Sequence, residues 1–267
     1  MKPILNNKQQ LIFSVVAILA IMIVFLFWIT TRSNNFQDET IATKTQDKMI
    51  SLAETPVPVK EVNKKFYGID ISKWNGDEVT EIDPTDSLSF IICKATEGNT
   101  GVDRELRSNW RTIKDKEMIL GAYHFYHTYG DPEIQATHYW DIVTALGETD
   151  MVPIVDIEQE SLPKKSQLNT KKIQRDLLIF LESIEQKSGR IPMIYTGYSF
   201  ANEYLKNPDF AKYPLWLADY TKTEEPNIPD TWQKKGYKIW QKNDSYNIDF
   251  HPTDFDIFYG EKLELSQ

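Results

Sequence analysis

The chain has 267 residues, 41% hydrophobic and 12% aromatic, which is enough apolar material to bury the core of one large domain. A formal net charge of −9 and the lack of a glycine-rich phosphate loop argue against a nucleic-acid partner. A single cysteine, Cys93, excludes an intramolecular disulfide framework; it lies in an apolar run and reads as a small buried hydrophobe.

Residues 11–29 carry no charge. At about 1.5 Å of helical rise per residue such a run spans a bilayer core of roughly 30 Å. It closes on FLFWITTR without a small-x-small cleavage site, so an uncleaved transmembrane anchor is expected rather than a signal peptide. Lys2 and Lys8 precede it while Asp38 and Glu39 follow, which orients residues 1–10 to the cytoplasm and the bulk of the chain outside the cell membrane, on the periplasmic or cell-wall side. Residues 30–65, rich in Asn, Gln, Thr, Lys and Glu and carrying Pro56 and Pro58, read as a polar linker.

From residue 66 to 267 the texture is that of one domain of short apolar strands separated by longer segments. Strands are predicted over residues 66–72, 88–94, 119–125, 152–157, 191–196, 215–218, 237–241 and 255–258. Helical periodicity covers 104–116, 133–146 and 170–188, the last with Ile173, Leu177, Leu178, Leu181 and Ile184 on one stripe and Gly189 past its end. Helices are short or missing between the last strands. The alternation predicts an α/β fold with a parallel sheet: an irregular TIM-like (β/α) barrel of eight strands. Active sites of such barrels lie at the C-terminal strand ends. Asp70, Lys94, Glu97, Tyr123, His124, Asp156, Glu158, Tyr195, Trp216, Asp219 and Gln241 collect there, whereas Asp254 stands at the start of its strand.

The most telling strand is MVPIVDIEQE, residues 151–160, whose β-branched run delivers Asp156 and Glu158 to one place. Positions i and i+2 of a strand point the same way, about 6–7 Å apart. Two carboxyl groups at that separation suit glycosidic hydrolysis, one protonated to serve the leaving oxygen and one charged to stabilise or attack the sugar.

Nine segments in order resemble glycoside hydrolase family 25, the lysozymes that cut the β-1,4 bond between N-acetylmuramic acid and N-acetylglucosamine: GIDISKWNG (68–76), FIICKATEG (90–98), NW (109–110), GAYHF (121–125), PIVDIE (153–158), YTGYSF (195–200), PLWLADY (214–220), IWQ (239–241) and DFDIF (254–258). The resemblance implies a muramidase acting on peptidoglycan; with the anchor expected from residues 11–29 it would be membrane-anchored, and no cofactor or metal is expected. It implies Glu158 as general acid, Asp156 as stabiliser of an oxocarbenium-like state or as orienter of the substrate's own N-acetyl group, and Asp70 and Asp254 as the other catalytic carboxyls. Residues 242–253 hold no glycine where the family's turn is expected, so Asp249 and Asp256 stay open beside Asp254. Tyr123, Tyr195, Trp216 and Trp240 are expected to line the cleft, since flat aromatic faces pack on sugar rings. Lys94 and Glu97 are expected at the rim, as an ion pair or against substrate.

Two rival readings compete. A metal-dependent hydrolase built on His124, His127 and His138 is disfavoured because residues three apart on a strand face opposite sides. A non-catalytic peptidoglycan-binding or scaffolding module on the same barrel is disfavoured by the presence of both central acids, Asp156 and Glu158, and of Asp70.

Overall fold

Hydrophobic alternation and turn chemistry set the elements of the computed structural model, which describes residues 64–75, 88–248, 251–261 and 264–265. The expected N-terminus, anchor and nearly all of the linker (residues 1–63) lie outside the described residues; among those described, no helix is long and apolar enough to cross a membrane. The strands are β1 (Lys65–Ile71), β2 (Leu88–Glu97), β3 (Gly101–Val102), β4 (Ile119–Phe125), β5 (Ile154–Asp156), β6 (Met193–Gly197), β7 (Leu215–Ala218), β8 (Ile239–Ile248) and β9 (His251–Tyr259). The helices are α1 (Leu106–Asp115), α2 (Pro132–Leu146), α3 (Thr170–Ser188) and α4 (Tyr198–Tyr204).

Helix ends follow local chemistry. The Asp131 side chain accepts from the backbone N–H groups of Glu133 and Ile134 to cap α2, with Pro132 opening it. Asn169 caps α3 in the same way, and Gly189, at φ 67°, ends it in the left-handed region.

The sheet closes: β1, β2, β4, β5, β6, β7, β8 and β9 follow one another around a barrel, β9 returns to β1, and the two-residue β3 is a flap on the end of β2. Every neighbouring pair from β1 round to β8 is parallel, but β9 runs antiparallel to both β8 and β1. This corrects the expected all-parallel sheet. The segment before β9 is a hairpin from β8, too short for the crossover that a parallel strand needs.

Alternation divides the apolar residues into two cores. Ile69, Ile71, Val155, Ile157, Leu215 and Leu217 face outward and pack with helix residues such as Trp110, Leu177 and Phe180. Phe90, Ile92, Tyr123, Ile154, Tyr195, Trp216, Ile239 and Phe258 fill the barrel interior. The interior is tight enough to require a glycine: a Cβ on Gly68 would lie 2.2 Å from Cε2 of Phe90, so the ring occupies the place of a side chain.

Candidate active site

On β5 the inward and outward positions alternate as Ile154, Val155, Asp156. The pairing continues past the strand, because the Ile157 N–H donates to the Tyr195 carbonyl at 3.0 Å. Glu158, also extended (φ −147°, ψ −167°), therefore returns to the Asp156 side, and its N–H donates to Ser161 Oγ at 3.1 Å. Asp156 is buried, and its Oδ1 has no hydrogen-bond partner among the described residues. Burial, and then the charge of Glu158, push the Asp156 carboxyl well above the usual carboxylate range, with Lys94 opposing. Burial, then Glu160 and Asp254, raise Glu158 from 4.5 to about 7, again against Lys94.

Asp70 and Asp254 meet from adjacent strands as a cross-strand pair. The reversal of β9 explains how: an antiparallel strand presents its N-terminal residues at the rim where parallel strands end, so Asp254 reaches the same site. Asp70 Oδ2 accepts from Gln241 Nε2 at 2.7 Å, and Gln241 Oε1 in turn accepts from the hydroxyls of Tyr195 (2.9 Å) and Tyr220 (2.7 Å). Burial, then Asp254 and Asp256, raise Asp70 well above its ordinary range; burial, then Asp244, raise Asp254 to about 6. Beneath them Asp256 is fully buried, its Oδ1 accepting from Trp216 Nε1 at 2.8 Å. Asp249, the third candidate from the sequence, lies outside the described residues.

Lys94 and Glu97 form an ion pair of 2.7 Å. Positions three apart on a regular strand would face opposite sides, but a bulge between Lys94 and Thr96 sets Lys94 against Tyr123 and Thr96 against His124, turning Glu97 back to the Lys94 side. His127 Nε2 lies 3.2 Å from the other Glu97 oxygen and its ring stacks on exposed Tyr129. Tyr123, Tyr195 and Trp216 stand together inside the barrel, Trp216 edge-on to both tyrosines.

Trp240 is the expected cleft residue that the structure does not bring to the others. Its neighbours Ile239 and Gln241 point inward, so alternation turns Trp240 outward, where its Nε1 donates to the Asp219 carbonyl at 2.8 Å. Two residues joined to the site carried no role from sequence, Gln241 as hub and Tyr220, while Asp256, open there as an alternative to Asp254, lies beneath the pair. Alternation from Ile239 was a usable signal for Gln241; Tyr220 depends on a contact remote in sequence.

The histidines go to separate places. His124 is buried between Thr96 Oγ1 (2.8 Å) and Gln135 Oε1 (3.3 Å), and burial lowers it to about 3. His138 Nε2 faces the Gly101 carbonyl at 2.8 Å. Among the described residues no three His, Cys, Asp or Glu side chains are arranged to hold a metal ion.

A closed barrel whose strand ends gather carboxyls of raised proton affinity around aromatic walls has the equipment of a glycoside hydrolase. Residues 69–250 match the family described as glycosyl hydrolases family 25, and the chain belongs to that family: it is a glycoside hydrolase of the lysozyme kind. It is 28% identical over 207 residues to the uncharacterized protein YegX of Escherichia coli K12, covering 75% of this chain and 72% of that protein. It is 26% identical over 227 residues to an N,O-diacetylmuramidase of Arthroderma benhamiae, covering 80% and 92%. The family 25 lysozyme structure from Aspergillus fumigatus superposes with a TM-score of 0.64 at 26% identity, covering 76% of this chain and 98% of that one.

Proposed function

We propose that this enzyme is a muramidase that cleaves the β-1,4 bond between N-acetylmuramic acid and N-acetylglucosamine in peptidoglycan, with Glu158 as general acid. The observation that carries the reading is the pair at the end of β5: Glu158, two residues past the strand and raised to about 7, on the same side as the buried Asp156 with its unpartnered Oδ1. A group with that affinity is still about half protonated at neutral pH and can give its proton to the leaving oxygen. Asp156, on the same side of the chain, stabilises positive charge on the sugar or orients the substrate's N-acetyl group for attack at the anomeric carbon. Asp70 and Asp254 hold the facing side of the site, Tyr123, Tyr195 and Trp216 supply its aromatic wall, and Lys94 is the cation that keeps the acidic pair from losing too much charge.

Digestion of purified peptidoglycan by the full-length protein in mild detergent, beside Glu158→Gln, tests this. The expected products are reducing N-acetylmuramic acid ends from the wild type only. Reducing N-acetylglucosamine ends would assign a different bond, and no release would overturn the muramidase.

The uncharged run at residues 11–29 and the polar stretch after it support a second proposal, that the barrel works outside the cytoplasmic membrane on a tether. Membrane fractions of expressing cells should hold the full chain, and deletion of residues 1–32 should release it; an unchanged distribution would sink the tether.

A further inference from the structure

Tyr129, four residues past the end of β4, is an exposed ring with a built support behind it. One face stacks on the His127 imidazole, ring centres 4.8 Å apart and planes within 22°, while the residue is 59% exposed and leaves its other face to solvent. His127 is itself fixed at the backbone. Its N–H donates to Gln135 Oε1 at 2.8 Å, and its carbonyl accepts from Gln135 Nε2 at 3.0 Å; Gln135 is buried in the first turn of α2. The imidazole takes the space over Gly98, where a Cβ would lie 2.7 Å from Nδ1, and at φ 54° that glycine holds a conformation other residues rarely adopt.

Two tethers set this platform relative to the acid strand. Glu97 forms the first, its Oε1 lying 3.2 Å from His127 Nε2 and its Oε2 2.7 Å from Lys94 Nζ. Thr128 forms the second. Buried beside Tyr129 in the chain, it donates from both its N–H (3.0 Å) and its hydroxyl (2.7 Å) to the Ser161 carbonyl, and Ser161 Oγ accepts from the Glu158 N–H at 3.1 Å. Support of this kind lowers the ordering cost of a ligand laid on the ring.

We propose that the outer face of Tyr129 is a sugar-stacking subsite for a glycan ring away from the bond that is cut, tied to Glu158 so that a long strand is gripped in register with the acid. Flat aromatic faces pack on the apolar faces of sugar rings. The surroundings favour the sugar over the stem peptide: Glu97 lies behind the platform, and Asp131 and Glu133, both exposed, follow it in the chain. Such an acidic surface repels the carboxylates of a stem peptide, whereas a neutral N-acetylated ring meets no like charge. Tyr129 acts on binding and on the choice of strand length. The inference rests on the reading that peptidoglycan is the substrate.

Full-length wild type, Tyr129→Ala and Tyr129→Phe in mild detergent test it, by kinetics on long and short glycan strands and by pelleting with insoluble peptidoglycan. Tyr129→Ala should raise KM on long strands and weaken pelleting by about 2- to 10-fold, and should narrow the preference of wild type for long over short strands. Tyr129→Phe keeps the ring and should restore both. A phenylalanine variant as weak as alanine would overturn the proposal, because the hydroxyl and not the ring face would then hold the ligand. So would an alanine variant that binds and cleaves long strands like wild type, or one impaired equally on short and long strands. A difference between wild type and Tyr129→Ala that disappears on strands freed of their peptides would give the platform to the stem, and would likewise overturn it. If wild type releases no sugar ends, the muramidase reading fails while pelleting still decides the platform.

Discussion

At Glu158 burial and neighbouring negative charge act in one direction, and one cation acts against them. The carboxyl that results, at about 7, is useful as an acid only while protonated. Removing the proton donor by Glu158→Gln keeps the shape and should lower kcat about 100- to 10,000-fold, as is usual for loss of a general acid; a variant within tenfold of wild type on peptidoglycan would unseat Glu158. The pH dependence has a determined sign. kcat/KM reports groups of the free enzyme, so it should fall as pH rises through about 7. Lys94 lowers both Glu158 and Asp156, so Lys94→Met should move that basic limb to higher pH. A limb that stays put or moves downward would show that Lys94 is not the cation governing the acid. Lys94 sits in the interior, 2.7 Å from Glu97 and 4.4 Å from the centre of the Phe125 ring, held in place to exert that influence.

At the scale of strands and helices, the barrel and its acidic strand were legible because β-branched runs and i, i+2 spacing express burial and facing directly. Strand direction was not: a hydrophobic pattern reads the same in both directions, and only the close pairing of β8 with β9 reveals that Asp254 enters the rim from the other end. Trp240 was misplaced for a related reason, since a shift of one residue in facing turns an aromatic from cleft to outer shell. Asp256 stayed open beside Asp254 because spacing alone does not say which of the two is buried, and its hydrogen bond to Trp216, 40 residues away, is not visible in the sequence. The bulge in β2 was likewise invisible, although it alone brings Lys94 and Glu97 to one side. Gly68 is the part of β1 that the sequence marked by residue type and the packing explains. Gly68→Ala would force a methyl into the Phe90 ring, so it should cost about 1–3 kcal/mol or more in chemical denaturation, as overpacking does. Adding Phe90→Leu should recover part of that loss, since the two positions share one space. A Gly68→Ala protein as stable as wild type would mean that the interior yields there, and that the glycine is not needed for packing.

For the molecule as a whole, a crowded acidic site is a burden on folding that changes with pH. Glu158 is raised from 4.5 to about 7 and Asp254 from 3.8 to about 6 in the folded protein. The unfolded chain, with ordinary carboxyls, sheds those protons from about pH 4 upward, whereas the folded chain keeps them until pH 6–7, so it binds more protons over that window. Stability rises with pH only where the unfolded state holds more protons. Here the reverse applies: the contribution of these groups is fully present below about pH 4 and is lost as pH passes through their folded values. Each tenfold difference in proton affinity between the folded and unfolded chain is worth at most about 1.4 kcal/mol, and solvent reaching the half-buried carboxyls reduces it. Each kcal/mol moves the melting temperature of a domain this size by about 2–4 °C. The protein should therefore melt several degrees higher at pH 5 than at pH 8. The net charge of −9 adds general repulsion in the same direction, so the site must be separated from the rest of the surface. Glu158→Gln combined with Asp254→Asn removes two of the raised groups, and calorimetry across pH 5–8 should show the slope shrink chiefly by stabilisation at the alkaline end. A double variant with the full wild-type slope would place the cost elsewhere. A shrunken slope together with lost activity would show that the enzyme gives up stability at neutral pH to keep its acid protonated.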